Sequence, residues 1–160
     1  MKTNTINIRP ATLDDLPILL DFEQKIIETE RPLDPTLKDQ EKINYYNLET
    51  YITDKNTKVL IAEIGNKIVG SGFGQIRNRK NFFKQQQLGY IGFLYVKEEF
   101  RGLGINQKVI KSLCDWFKSL HIEEIRLNVY SKNARAIRAY EKAGFTQHII
   151  QMRVDLSDID

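Results

Sequence analysis

The chain has 160 residues, 41% hydrophobic and 28% charged, with a formal net charge of +3; that is one domain's worth of core and too little charge to argue for nucleic acid. Its one cysteine, Cys114, excludes an internal disulfide and suits a reducing, cytoplasmic setting. The N-terminal MKTNTINIRPAT has no apolar secretory core, and no apolar run approaches the roughly 18 residues that span a bilayer, so a single domain over 1–160 away from membranes is expected.

INIRP (6–10) reads as a first strand. A helix follows to about Glu28, and a cap at Asp14 rather than Thr12 would put Pro17 in its first turn, where a missing N–H costs nothing. RPLDP (31–35) breaks that helix, and 36–53 reads as a second one, with Leu37, Ile43, Leu48 and Ile52 as apolar markers. KVLIAEI (58–64) and KIVGSGFGQI (67–76) flank Gly65-Asn66, a hairpin signal. RNRKNFFKQQQ (77–87) is a polar connection, and LGYIGFLYV (88–96) an apolar strand. Ile105, Val109, Leu113, Phe117 and Leu120 then recur at helical spacing, and Cys114, Trp116 and Phe117 read as core of that helix. EEIRLNVY (123–130) is another strand, ARAIRAYEKA (134–143) a helix closed by Gly144, and FTQHIIQMRVDL (145–156) a last strand. The order βααβββαβαβ predicts an α/β (α+β) fold, with a mixed sheet and helices on both faces.

Arg-Gly-Leu-Gly (101–104) falls where a strand ends and a helix begins. Glycines there let backbone amides approach a ligand closely, the helix dipole adds positive charge, and Arg101 adds a planar donor fork, which together suit a pyrophosphate. A P-loop needs G-x-x-x-x-G-K-[ST], which is absent; a dinucleotide fingerprint needs a third glycine where Gln107 stands. A tight turn alone remains the plain alternative. Downstream, Asn133 precedes Tyr140 by two helical turns, so the two share a face. By default Asn133 is an N-cap and Tyr140 a core-edge residue.

R-G-L-G-I-N (101–106) after LYVKEEF, followed by Val129, Asn133, Ala136, Tyr140 and Gly144-Phe145, resembles the GNAT superfamily of N-acetyltransferases, as does the opening IRPATLDDLPIL. The resemblance covers nearly the whole chain. It implies a mostly antiparallel central sheet of six to seven strands and acetyl-coenzyme A as cosubstrate. Arg101, Gly102, Leu103, Gly104, Ile105 and Asn106 would cradle the pyrophosphate, although Asn106 departs from the family's small residue there. Leu94, Tyr95 and Val96 would bind the pantetheine arm, with Asn133 near it, and Tyr140 would lie beside the thioester sulfur as general acid.

The acetyl group would pass directly to a primary amine in a ternary complex. The Val96 N–H is a candidate donor to the oxyanion. Many family members carry a carboxylate base on the strand before the motif, where this chain has Gly92 and Phe93. Glu28, Glu30 and Asp34, where the first two helices meet, are the candidate acceptor-binding carboxylates, against a reading as a solvated loop. His148 reads as a half-buried strand residue and His121 as an exposed turn residue rather than as bases. RNRKNFFK (77–84) could be a basic nucleic-acid patch but reads better as a solvated hairpin loop, and no Cys/His cluster has metal-ligand spacing. The partner expected is therefore a small-molecule or peptide amine, with no nucleic acid, no membrane and no metal; a homodimer stays open. The competing function is a catalytically weak coenzyme-A-binding sensor or assembly module.

Overall fold

The structure, a computed structural model, describes residues 5–160; residues 1–4 of the N-terminal stretch read above lie outside the described residues. The elements are β1 (Ile6–Pro10), α1 (Leu16–Glu30), α2 (Leu48–Thr53), β2 (Thr57–Ile64), β3 (Lys67–Asn78), β4 (Gln87–Val96), α3 (Ile105–Ser119), β5 (Ile125–Arg126) and α4 (Ala134–Lys142). They form a five-stranded sheet in the order β1-β2-β3-β4-β5, antiparallel except where β5 joins β4.

Helices cover both faces. On one, α3 buries Ile105, Val109, Leu113 and Phe117 against Leu60, Ala62, Val69 and Ile91. On the other, Leu19 and Phe22 of α1 and Leu48 of α2 meet Val59, Ile61, Phe73 and Phe93. The α3 side is close-packed because the sheet beneath it is cut away. A Cβ on Gly72 would stand 2.7 Å from Val109, and one on Gly74 or Gly89 would stand 2.7–2.8 Å from the ring of Phe117. Those glycines set the depth at which α3 lies, and hence the position of its N-terminus.

Several sequence expectations need correction. The first helix is not capped by Asp14. Thr12 opens a single 3₁₀ turn, its N–H and hydroxyl both donating to Asp15, and Asp15 is the residue before α1. Pro17 still falls in the first turn of α1. Asp15 is fixed from outside as well, by a two-pronged contact with Arg9 at 2.8 and 3.0 Å, and Arg9 also reaches Glu63.

The helix expected over 36–53 shrinks to Leu48–Thr53, capped by Asn47. The chain from 34 to 46 satisfies its backbone groups with side chains instead. Asp34 accepts from Thr36, Arg31 donates to the carbonyls of Lys38 and Glu41, and buried Glu23 accepts from the N–H groups of Tyr45 and Tyr46. Such bonds compete directly with a helix for the same donors and acceptors.

The strand expected over 123–130 pairs only at Ile125–Arg126, and 145–156 joins no ladder. The sheet therefore has five strands where six to seven were expected. The hairpin at Gly65-Asn66 forms as expected, with Gly65 at φ 60°.

Candidate functional site

The irregular part of β4 lies at the sheet's centre. Ser71 pairs with Tyr95 and Phe73 with Gly92, so one residue of β3 faces two of β4, Phe93 and Leu94. This is a β-bulge, and Phe93 takes the left-handed conformation at φ 58°. For a bulky side chain that backbone is uncommon and costly, and such strain concentrates at functional sites. Burial of the ring at 3% exposure and a 3.1 Å hydrogen bond from the Ser71 hydroxyl to the Phe93 carbonyl hold it there.

Past the bulge, β4 separates from β5. Their pairing ends at Gly89–Ile125 and Tyr90–Arg126. Val96 faces Gly70 on β3, and the flanking bond runs from the Lys97 N–H to the Val69 carbonyl at 2.8 Å. That pattern marks a non-hydrogen-bonded antiparallel pair, in which both polar groups of Val96 point away from β3. They point into the gap that β5 leaves open. Arg101 Nε donates to the Val96 carbonyl at 3.1 Å, and the Val96 N–H remains directed into the gap.

The chain then turns through Gly102 (φ 80°) and Gly104 (φ 77°) into α3. A Cβ on either glycine would meet nothing within 4 Å, so this side of the backbone is open. The N–H groups of residues 102–107 find no acceptor among the described residues; the next, Lys108, bonds to Gly104. Six consecutive free amides at the N-terminus of a 15-residue helix, with Arg101 beside them, form a cradle whose chemistry suits an anion.

Across the gap stands α4. Asn133 caps it, its side-chain oxygen accepting from the Ala136 N–H at 3.2 Å, so the default reading of that residue is correct and its amide nitrogen stays available. Gln107 of α3 donates to the Ala139 carbonyl at 3.1 Å, tying the cradle's helix to the turn that carries Tyr140. Tyr140 is half-buried against Phe145. Burial first, then the charge of Glu30 and the neighbouring Tyr90, pushes its phenol up to about 12.

The three candidate carboxylates separate. Glu28 is exposed and pairs with Lys25 at 3.4 Å on the solvent side of α1. Asp34 is held below its usual range, by the Thr36 hydroxyl and N–H first and then by Tyr130, whose hydroxyl donates to it at 2.7 Å. Burial holds Glu30 above its usual range, against the pull of the Tyr45 hydroxyl, and the charge of Asp34 adds to the rise.

A ring of phenols around Glu30 was not anticipated. Tyr45, Tyr46, Tyr130 and Tyr140 are all raised, chiefly by burial and in part by Glu30. The Tyr45 hydroxyl is buried next to Glu30 but makes no hydrogen bond of full geometry. Tyr90, stacked under the Arg77 guanidinium at 3.6 Å, looks the same way from β4. Its signal was present in the sequence, because Tyr90 lies two residues before Gly92 and period-two alternation puts both on one face. Tyr45 and Tyr46 carried no comparable signal, since they lie in the stretch misread as helix. Gly92 itself has no room for a side chain: a Cβ there would stand 2.7 Å from the ring of Phe73. His148 is exposed, as is His121 in its turn.

The model of the Acetyltransferase (GNAT) family matches residues 21–145. N-alpha-acetyltransferase 30 of Saccharomyces cerevisiae is 35% identical over 72 residues, 45% of this chain and 41% of that protein. Glucosamine 6-phosphate N-acetyltransferase of Trypanosoma brucei brucei is 31% identical over 101 residues, 62% of this chain and 65% of that protein. The chain thus spans less than two thirds of either relative's length. Among solved structures, a predicted acetyltransferase with acetyl-CoA from Clostridium acetobutylicum superposes with a TM-score of 0.75 at 19% identity, covering 96% of this chain and 98% of that one, a likeness of fold. With its split between β4 and β5, its glycine cradle and this family match over most of its length, the chain belongs to the GNAT acetyltransferase family.

Proposed function

We propose that the protein is an N-acetyltransferase that moves an acetyl group from acetyl-coenzyme A to a primary amine. The observation that carries this reading is the run of free amides at 102–107, opening beside the gap whose other wall holds Tyr140. The cradle fits a pyrophosphate, and the gap fits the pantetheine arm along Leu94, Tyr95 and Val96. The coenzyme, when bound, supplies the activated acyl group. The rest is done by the chain's own groups.

An alkyl amine with a pKa near ~10.4 arrives as an ammonium, and freeing it at pH 7 costs ~4–5 kcal/mol. Glu30 and Asp34 attract that cation to the phenol-lined mouth. The proton leaves to water or to Glu30, and the amine nitrogen bonds to the thioester carbon. The Val96 N–H receives the oxyanion. As the carbon–sulfur bond breaks, the new amide nitrogen gives up its extra proton to water, and Tyr140 hydrogen-bonds the departing sulfur, which solvent then protonates. With a phenol near 12 it stays protonated throughout the neutral range. Full transfer to a thiolate of ordinary pKa near ~8.5 would be uphill by ~5 kcal/mol, so a hydrogen bond carries most of its contribution.

The test is thiol release from acetyl-coenzyme A across a panel of amines: small polyamines, amino sugars and peptides with free N-termini. Turnover with one class identifies the acceptor. Tight coenzyme binding without turnover on any amine would support the sensor reading, which draws on Gly92 having no room for a base.

A further inference from the structure

The stretch that walls the phenol-lined mouth has no ladder or helix of its own. From 38 to 46 no backbone group donates to or accepts from another backbone group among the described residues. Side chains of α1 and the residue after it hold the stretch instead. Gln24 donates to the Ile43 carbonyl at 2.9 Å, and Arg31 to the carbonyls of Lys38 and Glu41. Glu23 Oε1 accepts from the N–H groups of both Tyr45 and Tyr46, at 2.7 and 2.9 Å. Of these three side chains only Glu23 is fully buried, at 0% exposure, on the same face of α1 as Leu19, Phe22 and Ile27. Burying a carboxylate there is costly, and its Oε2 makes no hydrogen bond to offset the cost. Packing alone would favour an apolar residue, so the carboxylate is explained by the two amides it holds.

We propose, on the transferase reading above, that Glu23 is a positioning residue for the acceptor amine, its carboxylate holding Tyr45 and Tyr46 where their rings shape the mouth. Glu23 and Glu30 stand seven residues apart on α1, two helical turns, and so share a face. One bond of Glu23 fixes the backbone that brings the Tyr45 hydroxyl next to Glu30. The other fixes Tyr46, whose ring stands edge-on to Phe73 and Phe93 at 5.1 and 5.8 Å. Phe93 is the left-handed residue of the bulge. A single buried oxygen thus sets two phenols, one against the carboxylate that draws in the amine and one against the bulge beneath it.

This hold acts on one face of the sheet. α1 and α2 pack on the face of Phe73 and Phe93, whereas the amides of 102–107 open at the N-terminus of α3, which packs on the other. A loosened wall therefore weakens the amine and spares the coenzyme. The two amides need an acceptor oxygen and not a charge. Glu23→Gln keeps that oxygen and places an NH2 group where Oε2 has no partner; Glu23→Leu offers no acceptor at all.

The test compares these two variants in amine KM, coenzyme affinity by calorimetry, urea unfolding, and amide hydrogen exchange at Tyr45 and Tyr46. Both should unfold at lower urea, because each leaves buried donors unpaired. Only Glu23→Leu should raise the amine KM and speed exchange at Tyr45 and Tyr46, each at least tenfold, about the scale of one charge-assisted hydrogen bond. Its coenzyme dissociation constant should stay within about threefold of the unsubstituted chain. Glu23→Gln should stay within about threefold in KM and exchange, so that amine recognition follows the accepted bonds and not stability. If Glu23→Leu does not fold, Glu23→Asp, which withdraws the carboxylate by one methylene, takes its place with the same expectation. An unchanged KM in Glu23→Leu, a coenzyme affinity that falls in step with KM, or a Glu23→Gln impaired as much as Glu23→Leu each overturns the positioning role. An unsubstituted chain that acetylates no amine sinks the transferase reading instead, and the exchange rates at Tyr45 and Tyr46 then decide whether Glu23 holds the wall.

Discussion

The cradle assignment can be tested with a matched pair of glycines. Gly104 and Gly65 both adopt left-handed backbone, at φ 77° and 60°, and an added Cβ would meet nothing within 4 Å at either. Alanine at each position therefore has the same intrinsic cost, roughly 1–2 kcal/mol for an L-residue in that conformation, with no clash on top. Urea unfolding should show both variants destabilised by that amount. The two should diverge on the ligand. Gly65 lies in the β2–β3 hairpin, whereas Gly104 is central to the free amides of 102–107. A methyl group there keeps a phosphate from approaching closely, and each charge-assisted hydrogen bond lost is worth ~1.5–3 kcal/mol. Calorimetry should find acetyl-coenzyme A binding weakened at least tenfold in Gly104→Ala and unchanged in Gly65→Ala. Equal affinities in the two folded variants would refute the cradle.

Further outcomes follow from the same geometry. Tyr140→Phe removes only the hydroxyl and should lower kcat roughly 10²-fold in steady-state assays, with coenzyme affinity near wild type; a change below threefold with chemistry rate-limiting would make Tyr140 a packing residue. The kcat/KM profile should rise with pH toward the acceptor's own pKa, and Glu30→Gln should raise KM for the amine more than it lowers kcat; an acidic limb abolished by Glu30→Gln would instead identify Glu30 as a direct base. Asp15 is held down to about 2, chiefly by hydrogen bonding to Arg9. Because its folded value lies below its unfolded one, that contribution is present above about pH 4 and is lost as pH falls toward 2. Asp15→Asn should therefore cost about 2 kcal/mol in unfolding experiments at pH 7 and almost nothing near pH 2. Gly74→Val, driven into the ring of Phe117, should destabilise by roughly 1–3 kcal/mol by overpacking.

What could be read from the sequence was whatever local periodicity and turn chemistry determine. Helix α3 was visible because Ile105, Val109, Leu113 and Phe117 follow one stripe, and β2 and β3 because Gly65-Asn66 separates two apolar runs. The turn through Gly102 and Gly104 into α3 was legible for the same reason, since glycines between a strand and a helix mark a change of backbone direction. The stretch 36–46 was misread because its hydrogen bonds come from Glu23 and Arg31, residues earlier in the chain that no window over 36–46 includes. The last strand was misread differently. Its period-two pattern is real, but whether a strand enters a ladder depends on which edge is offered to it, and pattern says nothing about edges. Among the carboxylates, the sequence placed Glu28, Glu30 and Asp34 together; helical phase then turned Glu28 to solvent and left Glu30 among the phenols.

The most direct measurement is a crystal structure with acetyl-coenzyme A bound. The account predicts pyrophosphate oxygens at hydrogen-bond distance, about 2.7–3.2 Å, from N–H groups within 102–107. It also predicts the thioester carbonyl on the Val96 N–H and the sulfur beside the Tyr140 hydroxyl. A coenzyme whose pyrophosphate lies away from 102–107, or whose sulfur lies out of reach of Tyr140, would contradict it.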